Sequence, residues 1–166
     1  MLHSILWTLL PLVSGWLFGS FSVYWIHRLM HEGKVFAKRH IEHHIANAGQ
    51  GWWGEFMDYI KPGWPVIAVT ALPWLFHSVL TAIIWSTAVL INIMFNAFTH
   101  EVSHTNPSLA FWLSKPVHYF HHKNQQWRHN FGFDTVLWDK LFGTFKDDTE
   151  WQKGPYKMKE LLQVKA

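Results

Sequence analysis

The chain contains no cysteine, which removes thiolate metal sites, disulfide frameworks and cysteine nucleophiles at once. Any metal it binds must sit on nitrogen and oxygen ligands. Charge is scarce: 15% of the 166 residues are Asp, Glu, Lys or Arg, against about 25% in an ordinary soluble domain. The shortage is concentrated, with no charged residue in 5–26 or in 62–99 and no Lys or Arg before Arg28. A cleaved signal peptide needs a basic leading region and a small-residue cleavage site. The missing basic residues therefore favour a retained span over a signal peptide. There is no basic–aromatic repeat or nucleic-acid motif, so nucleic acid is set aside as a partner. With no linker or low-complexity run, the length fits a single domain, 1–166.

What is present is apolar and aromatic. Nearly half the residues are hydrophobic, and 12 Trp and 13 Phe are among them. The first charge-free run covers roughly 22 positions, enough to cross a hydrocarbon core of about 30 Å at about 1.5 Å per residue. The second, roughly 38 residues, is too long for one span and suits two. A break at 73–78 would give a hairpin, with a short arm over 64–74 and a longer one over 79–99. A buried soluble hairpin is the competing reading. The expectation is an all-α integral membrane protein with about three transmembrane helices, one plus a hairpin. Every Lys and Arg lies at or after Arg28 and outside the hairpin. By the positive-inside tendency, 27–61 and 100–166 are cytoplasmic and form a helical cap. Trp52, Trp53, Phe56 and Trp64 suit the headgroup zone, and the tail from Asp147 suits a short peripheral helix. The small size points to a bacterial inner membrane, with endoplasmic reticulum as the alternative.

The thirteen histidines are the feature that carries chemistry, and ten of them fall into four boxes. These are His27 and His31; His40, His43 and His44; His100 and His104; and His118, His121 and His122. Separations of three and four place side chains on one helical face. A pair followed by a triplet occurs twice, on either side of the second apolar run. The two halves can meet only if the intervening chain crosses the membrane an even number of times, which the hairpin provides. A catalytic zinc site takes about three protein ligands, so ten imidazoles exceed one coordination sphere and suit two metals with about five each. Imidazole serves Fe, Zn, Cu or Ni and does not choose among them. His3 and His77 fall near the opposite membrane face and are not expected to be ligands.

Two rivals follow from the same residues. His100-Glu101-Val102-Ser103-His104 spells the H-E-x-x-H motif of zinc peptidases, although here it is one box among four. A polar, pH-responsive helix surface would not require paired spacing. Beyond the boxes, Tyr24 and Asn96 continue the histidine faces into the apolar helices and are candidates for the surroundings of the metals or a substrate channel. Helix–helix hydrogen bonding is the alternative for both. His129 and Asn130 are further candidates, His129 as an outer hydrogen-bonding group or a plain surface residue. Glu32, Glu42, Glu101, Asp134 and Asp139 are available to support the second ring nitrogens.

The boxes HRLMH, HIEHH and HYFHH, with Asn130-Phe-Gly-Phe and Leu137-Trp-Asp-Lys-Leu-Phe-Gly-Thr-Phe145, resemble the fatty acid hydroxylase / sterol desaturase superfamily over about 27–145. The resemblance implies a membrane-embedded non-haem di-iron domain with the ten boxed histidines as ligands. It implies two Fe ions, for which Zn can substitute in purified protein, with O2 as co-substrate. The electron donor would be external and ferredoxin- or cytochrome b5-like, and the substrate a lipid. The reaction expected is hydroxylation of a fatty acyl, sterol or related lipid. Desaturation on the same scaffold, or a metal-binding membrane protein without oxygenase activity, are the alternatives. The spans expected here are fewer than the four common in larger members.

Overall fold

The computed structural model describes residues 2–147, and the expected peripheral helix in the tail lies outside them. Every regular element among the described residues is helical: α1 (Leu2–His31), α2 (Ala37–Ala46), α3 (Trp52–His77), α4 (Val79–Thr105), α5 (Val117–Lys123) and α6 (Leu137–Leu141). A single 3-10 turn, Pro107–Leu109, follows α4.

Ser78 makes the expected hairpin break. Its extended backbone (φ −167°) ends α3, and its hydroxyl accepts the Thr81 N–H at 3.1 Å to cap α4. Pro73 lies inside α3 instead of at the break. The first arm is also longer than the expected 64–74. Pro62 and Pro65 are absorbed into the helix, and Thr70 Oγ1 donates back to Val66 O at 2.6 Å.

Two segments, Ile5–His31 and Val79–Thr105, are long and apolar enough to cross a membrane. Only 22% and 39% of their most apolar stretches are buried within the protein. A soluble core helix would hide most of that surface; here Leu6, Leu9, Val13, Leu80 and Ile83 face outward. Both features fit an all-helical membrane protein. α3 does not meet the same measure. Its first turns carry Glu55, Asp58 and Lys61, which leaves roughly 16 apolar residues, or about 24 Å of helix.

α4 is the central element, packed against α1 on one side and α3 on the other. Small residues on α1 permit the approach: a Cβ at Gly15 would come within 2.5 Å of Trp85 O, and one at Gly19 within 2.8 Å of Asn92 Oδ1. Val23, Trp85, Val89, Ile93 and Phe133 form the core there. Toward the box-bearing end the buried side chains turn polar. Asp134 Oδ1 accepts from Ser20 and Oδ2 from Asn92, at 2.8 and 2.9 Å, while Trp138 Nε1 donates to Ser20 Oγ. This network ties the 130s loop to α1 and α4, with Ser20, Asn92 and Asp134 buried and Trp138 partly so.

Candidate metal centre

α1 and α4 end at the same level, and α2 and α5 lie across their ends, so the four boxes converge. Their ten histidines sort into two groups of five, with each group's ligand atoms within 4.8 Å of one another. The first group is His27, His31, His40, His44 and His121; the second is His43, His100, His104, His118 and His122. Each pair therefore stays together, while each triplet is split. On α2, His40 and His44 share a face and His43 points to the other group. On α5, His118 and His122 share a face and His121 crosses over. The short helices thus lie between the groups and serve both.

The geometry within a group is that of lone pairs aimed at a common point. His31 Nε2 lies 3.2, 2.8, 3.2 and 2.9 Å from the Nε2 atoms of His27, His40, His44 and His121. One ring nitrogen offers a single proton or a single lone pair, so four such contacts cannot all be hydrogen bonds. Nitrogens about 2.1 Å from one ion and at right angles around it stand about 3.0 Å apart. In the second group His43 Nε2 is 3.1 Å from both His100 Nε2 and His122 Nε2. His104 Nε2 and His118 Nε2 are buried with no hydrogen-bond partner. The residues of both groups fit a bound cation.

Burial keeps the imidazoles of α2 and α5 neutral. It lowers His43 to about 4, with His100 adding to the effect, and His44 to about 3, with His31 and His43 adding. Burial first and neighbouring rings second also depress His40, His118, His121 and His122. Neutral rings at pH 7 have the free lone pair that a metal requires.

Three of the second ring nitrogens are held by backbone, while Nδ1 of His31, His118 and His122 is buried with no hydrogen-bond partner. His27 Nδ1 contacts Phe131 O at 2.7 Å, His121 Nδ1 contacts His129 O at 2.7 Å, and His43 Nδ1 contacts Ala48 O at 3.0 Å. The Asn130-Phe-Gly-Phe and Trp-Asp-Lys-Leu-Phe-Gly-Thr segments build two of those supports. Asn130, at φ 60°, donates to Gln126 Oε1 and Lys146 O and accepts from Lys146 N–H. Asp139 accepts the N–H groups of Phe131 and Gly132, both at 2.8 Å. This clasp aims the carbonyls of His129 and Phe131 at two rings of the first group, His121 and His27, so His129 contributes its backbone.

The five carboxylates expected to support the rings do otherwise. Glu32 pairs with Arg28 and Lys34, and Glu42 faces Lys38. Glu101 accepts Gly51 N–H at 2.9 Å, while Asp134 and Asp139 brace the 130s loop. Among the described residues, the one carboxylate at ion-pair distance from a grouped histidine is Glu55, 3.1 Å from His100 Nδ1 and buried with it. It was missed because α3 contains no box and its first turns read as an interfacial segment. Tyr24 and Asn96 are fully buried; Tyr24 bonds Thr144 and Asn96 Nδ2 donates to Asn92, while Asn96 Oδ1 is buried with no partner. His77 stacks on Trp7 with ring centres 3.6 Å apart, remote from both groups.

One cavity of about 670 Å³ opens on the centre between α2 and α3. His27 and His40 of the first group and His43 and His100 of the second border it; Met30, Phe36, Ala46, Pro62 and Phe133 supply apolar wall. Tyr24, Asn96, His129 and Asn130 are not part of its lining.

An all-helical membrane protein with two imidazole quintets at the end of its apolar helices is a histidine-box protein by fold and site. The fatty acid hydroxylase family model matches residues 12–144, and the chain belongs to that family. It is 27% identical to human alkylglycerol monooxygenase over 148 residues, covering 82% of this chain and 31% of that protein. It is 28% identical over 146 residues to a Dictyostelium discoideum protein assigned as a methylsterol monooxygenase, covering 86% of this chain and 54% of that protein. The chain thus spans about a third and about half of the lengths of these relatives. No solved structure matches it.

Proposed function

We propose that the chain is a lipid monooxygenase domain that hydroxylates a fatty acyl, sterol or related lipid, with an iron pair held by the ten grouped histidines. The observation that carries this reading is the cavity that touches both groups at once. A bound iron pair would supply O2 activation and the oxidant for an unactivated C–H bond. The protein's own part is positional. His31, His44 and His121 stand behind one centre and His104, His118 and His122 behind the other. Met30, Phe36, Ala46, Pro62 and Phe133 would hold an aliphatic chain against the remaining four rings, and Arg39, Glu42, Asp58 and Lys61 add polar lining. The names of both relatives are those of lipid monooxygenases, which favours hydroxylation over desaturation.

The membrane placement extends the same reading. α1, α3 and α4 cross as one span plus a hairpin, and the cap faces the cytoplasm, where an external ferredoxin- or cytochrome b5-like protein would deliver electrons. A bacterial inner membrane suits this arrangement. Lipid profiling of cells with and without the protein tests the activity. A new hydroxylated lipid, together with substrate-dependent O2 uptake and two irons per chain, is the expected result. A new double bond would make the chain a desaturase. Metal binding without O2 uptake or any lipid change would make it a metal-binding membrane protein of another kind. Zinc in purified material decides nothing, since Zn(II) outcompetes Fe(II) on nitrogen ligands.

A further inference from the structure

The two groups are built alike in ligand number and differently in what stands behind the ligands. In the first group the ring supports are neutral: Phe131 O behind His27 and His129 O behind His121. In the second, Ala48 O stands behind His43, and the Glu55 carboxylate stands behind His100. His100 Nε2 faces His43 Nε2 at 3.1 Å, which leaves Nδ1 as the nitrogen beside Glu55, at ion-pair distance though outside hydrogen-bond alignment. Glu55 is 6% exposed and His100 is 3% exposed, so solvent screens their interaction little. A full negative charge raises imidazole basicity more than a carbonyl dipole does, and such partners set both ring orientation and metal affinity.

The position of Glu55 is itself engineered by the box it serves. Glu101, next to His100, accepts the Gly51 N–H at 2.9 Å, and Gly49 packs directly against the same carboxylate. Gly51, at φ 83°, precedes the first turn of α3, where Glu55 N–H donates to Gly51 O at 3.0 Å. One residue of the His100 box thus pins the turn that brings Glu55 onto its neighbour.

We propose that Glu55 is a positioning residue that makes the two metal sites unequal, so that the group of His43, His100, His104, His118 and His122 binds its ion more tightly and holds it as the more electron-rich centre. This rests on the metal-binding reading above and adds which site is favoured and by what.

The test measures Zn²⁺ affinity by chelator competition on the detergent-purified full chain. One background removes the first group (His31→Ala with His121→Ala) and the other removes the second (His104→Ala with His118→Ala). Glu55→Gln keeps shape and removes charge. It should weaken the remaining ion by about 10–100-fold in the first background and leave affinity unchanged in the second. Equal effects in both backgrounds, or none in the first, overturn the proposal. A second comparison leaves Glu55 untouched: the first background must bind zinc more tightly than the second, and the reverse order overturns the proposal even if Glu55→Gln fails to fold. If the unaltered chain binds no metal, the metal-binding reading itself fails.

Discussion

Asp139 and His27 are joined across a single residue: the Asp139 carboxylate accepts the Phe131 N–H at 2.8 Å, and the Phe131 carbonyl stands 2.7 Å from His27 Nδ1. A residue of α6 therefore orients a ring on α1. Asp139→Ala would leave the buried N–H groups of Phe131 and Gly132 unpaired, at about 1–3 kcal/mol each. The expected outcome is a protein destabilised by about 2–5 kcal/mol that binds metal weakly at the first group. Thermal unfolding in detergent, with metal content on the same sample, measures both.

His43 and His44 are adjacent in sequence and serve different groups. His44→Ala should weaken the ion of the first group and His43→Ala that of the second, each variant retaining about one tight equivalent. Metal titration of the two variants, each combined with the single-group backgrounds above, distinguishes the assignments. Loss of the same equivalent in both variants would contradict the interleaved arrangement.

The approach of α1 to α4 depends on Gly15. A Cβ there would press on the Trp85 backbone carbonyl, which cannot retract as a flexible side chain can. Gly15→Leu should separate the helices and cost about 1–3 kcal/mol. Because α1 carries His27 and His31 and α4 carries His100 and His104, metal retention should fall with stability. Melting temperature and bound metal, followed together, report it.

Acid should unfold the chelator-treated protein earlier than its loaded form. His43 and His44 are lowered to about 4 and 3, against 6.5 for unperturbed imidazole, first by burial. The unfolded chain therefore binds more protons than the folded one once pH falls below about 6.5, and stability declines from there toward about pH 4. Above about pH 7 these groups contribute no slope. A bound ion competes with the protons and should move the decline to lower pH. Melting temperatures taken from pH 8 to 4, with and without metal, test the sign.

The parts legible in the sequence were those written in short-range spacing. His27 with His31, and His100 with His104, share helical faces whatever the tertiary fold, and the charge-free runs 5–26 and 62–99 locate apolar helices by length. The hairpin break was legible as 73–78, and it falls at Ser78. What spacing cannot carry is partnership between distant segments. Nothing local says that His43 leaves His44 for the far boxes, or that His121 returns to the first; both depend on where α2 and α5 lie across the bundle end. Glu55 was hidden for the same reason, being 45 residues from His100 in sequence and beside it in space. Proximity to a box proved a poor guide for carboxylates: Glu101 is covalently next to His100 and braces a turn instead. The extent of α3 escaped because Pro62, Pro65 and Pro73, residues that end a helix in water, are carried within this one, which packs against α4.

The cavity meets the centre along the flank formed by His27, His40, His43 and His100. A methylene lying in such a slot presents its two hydrogens unequally, one toward the imidazoles and the other toward Met30, Phe36 or Pro62. Handedness in the product would then require the wall also to fix which way the chain runs along the slot and how it is turned about its axis.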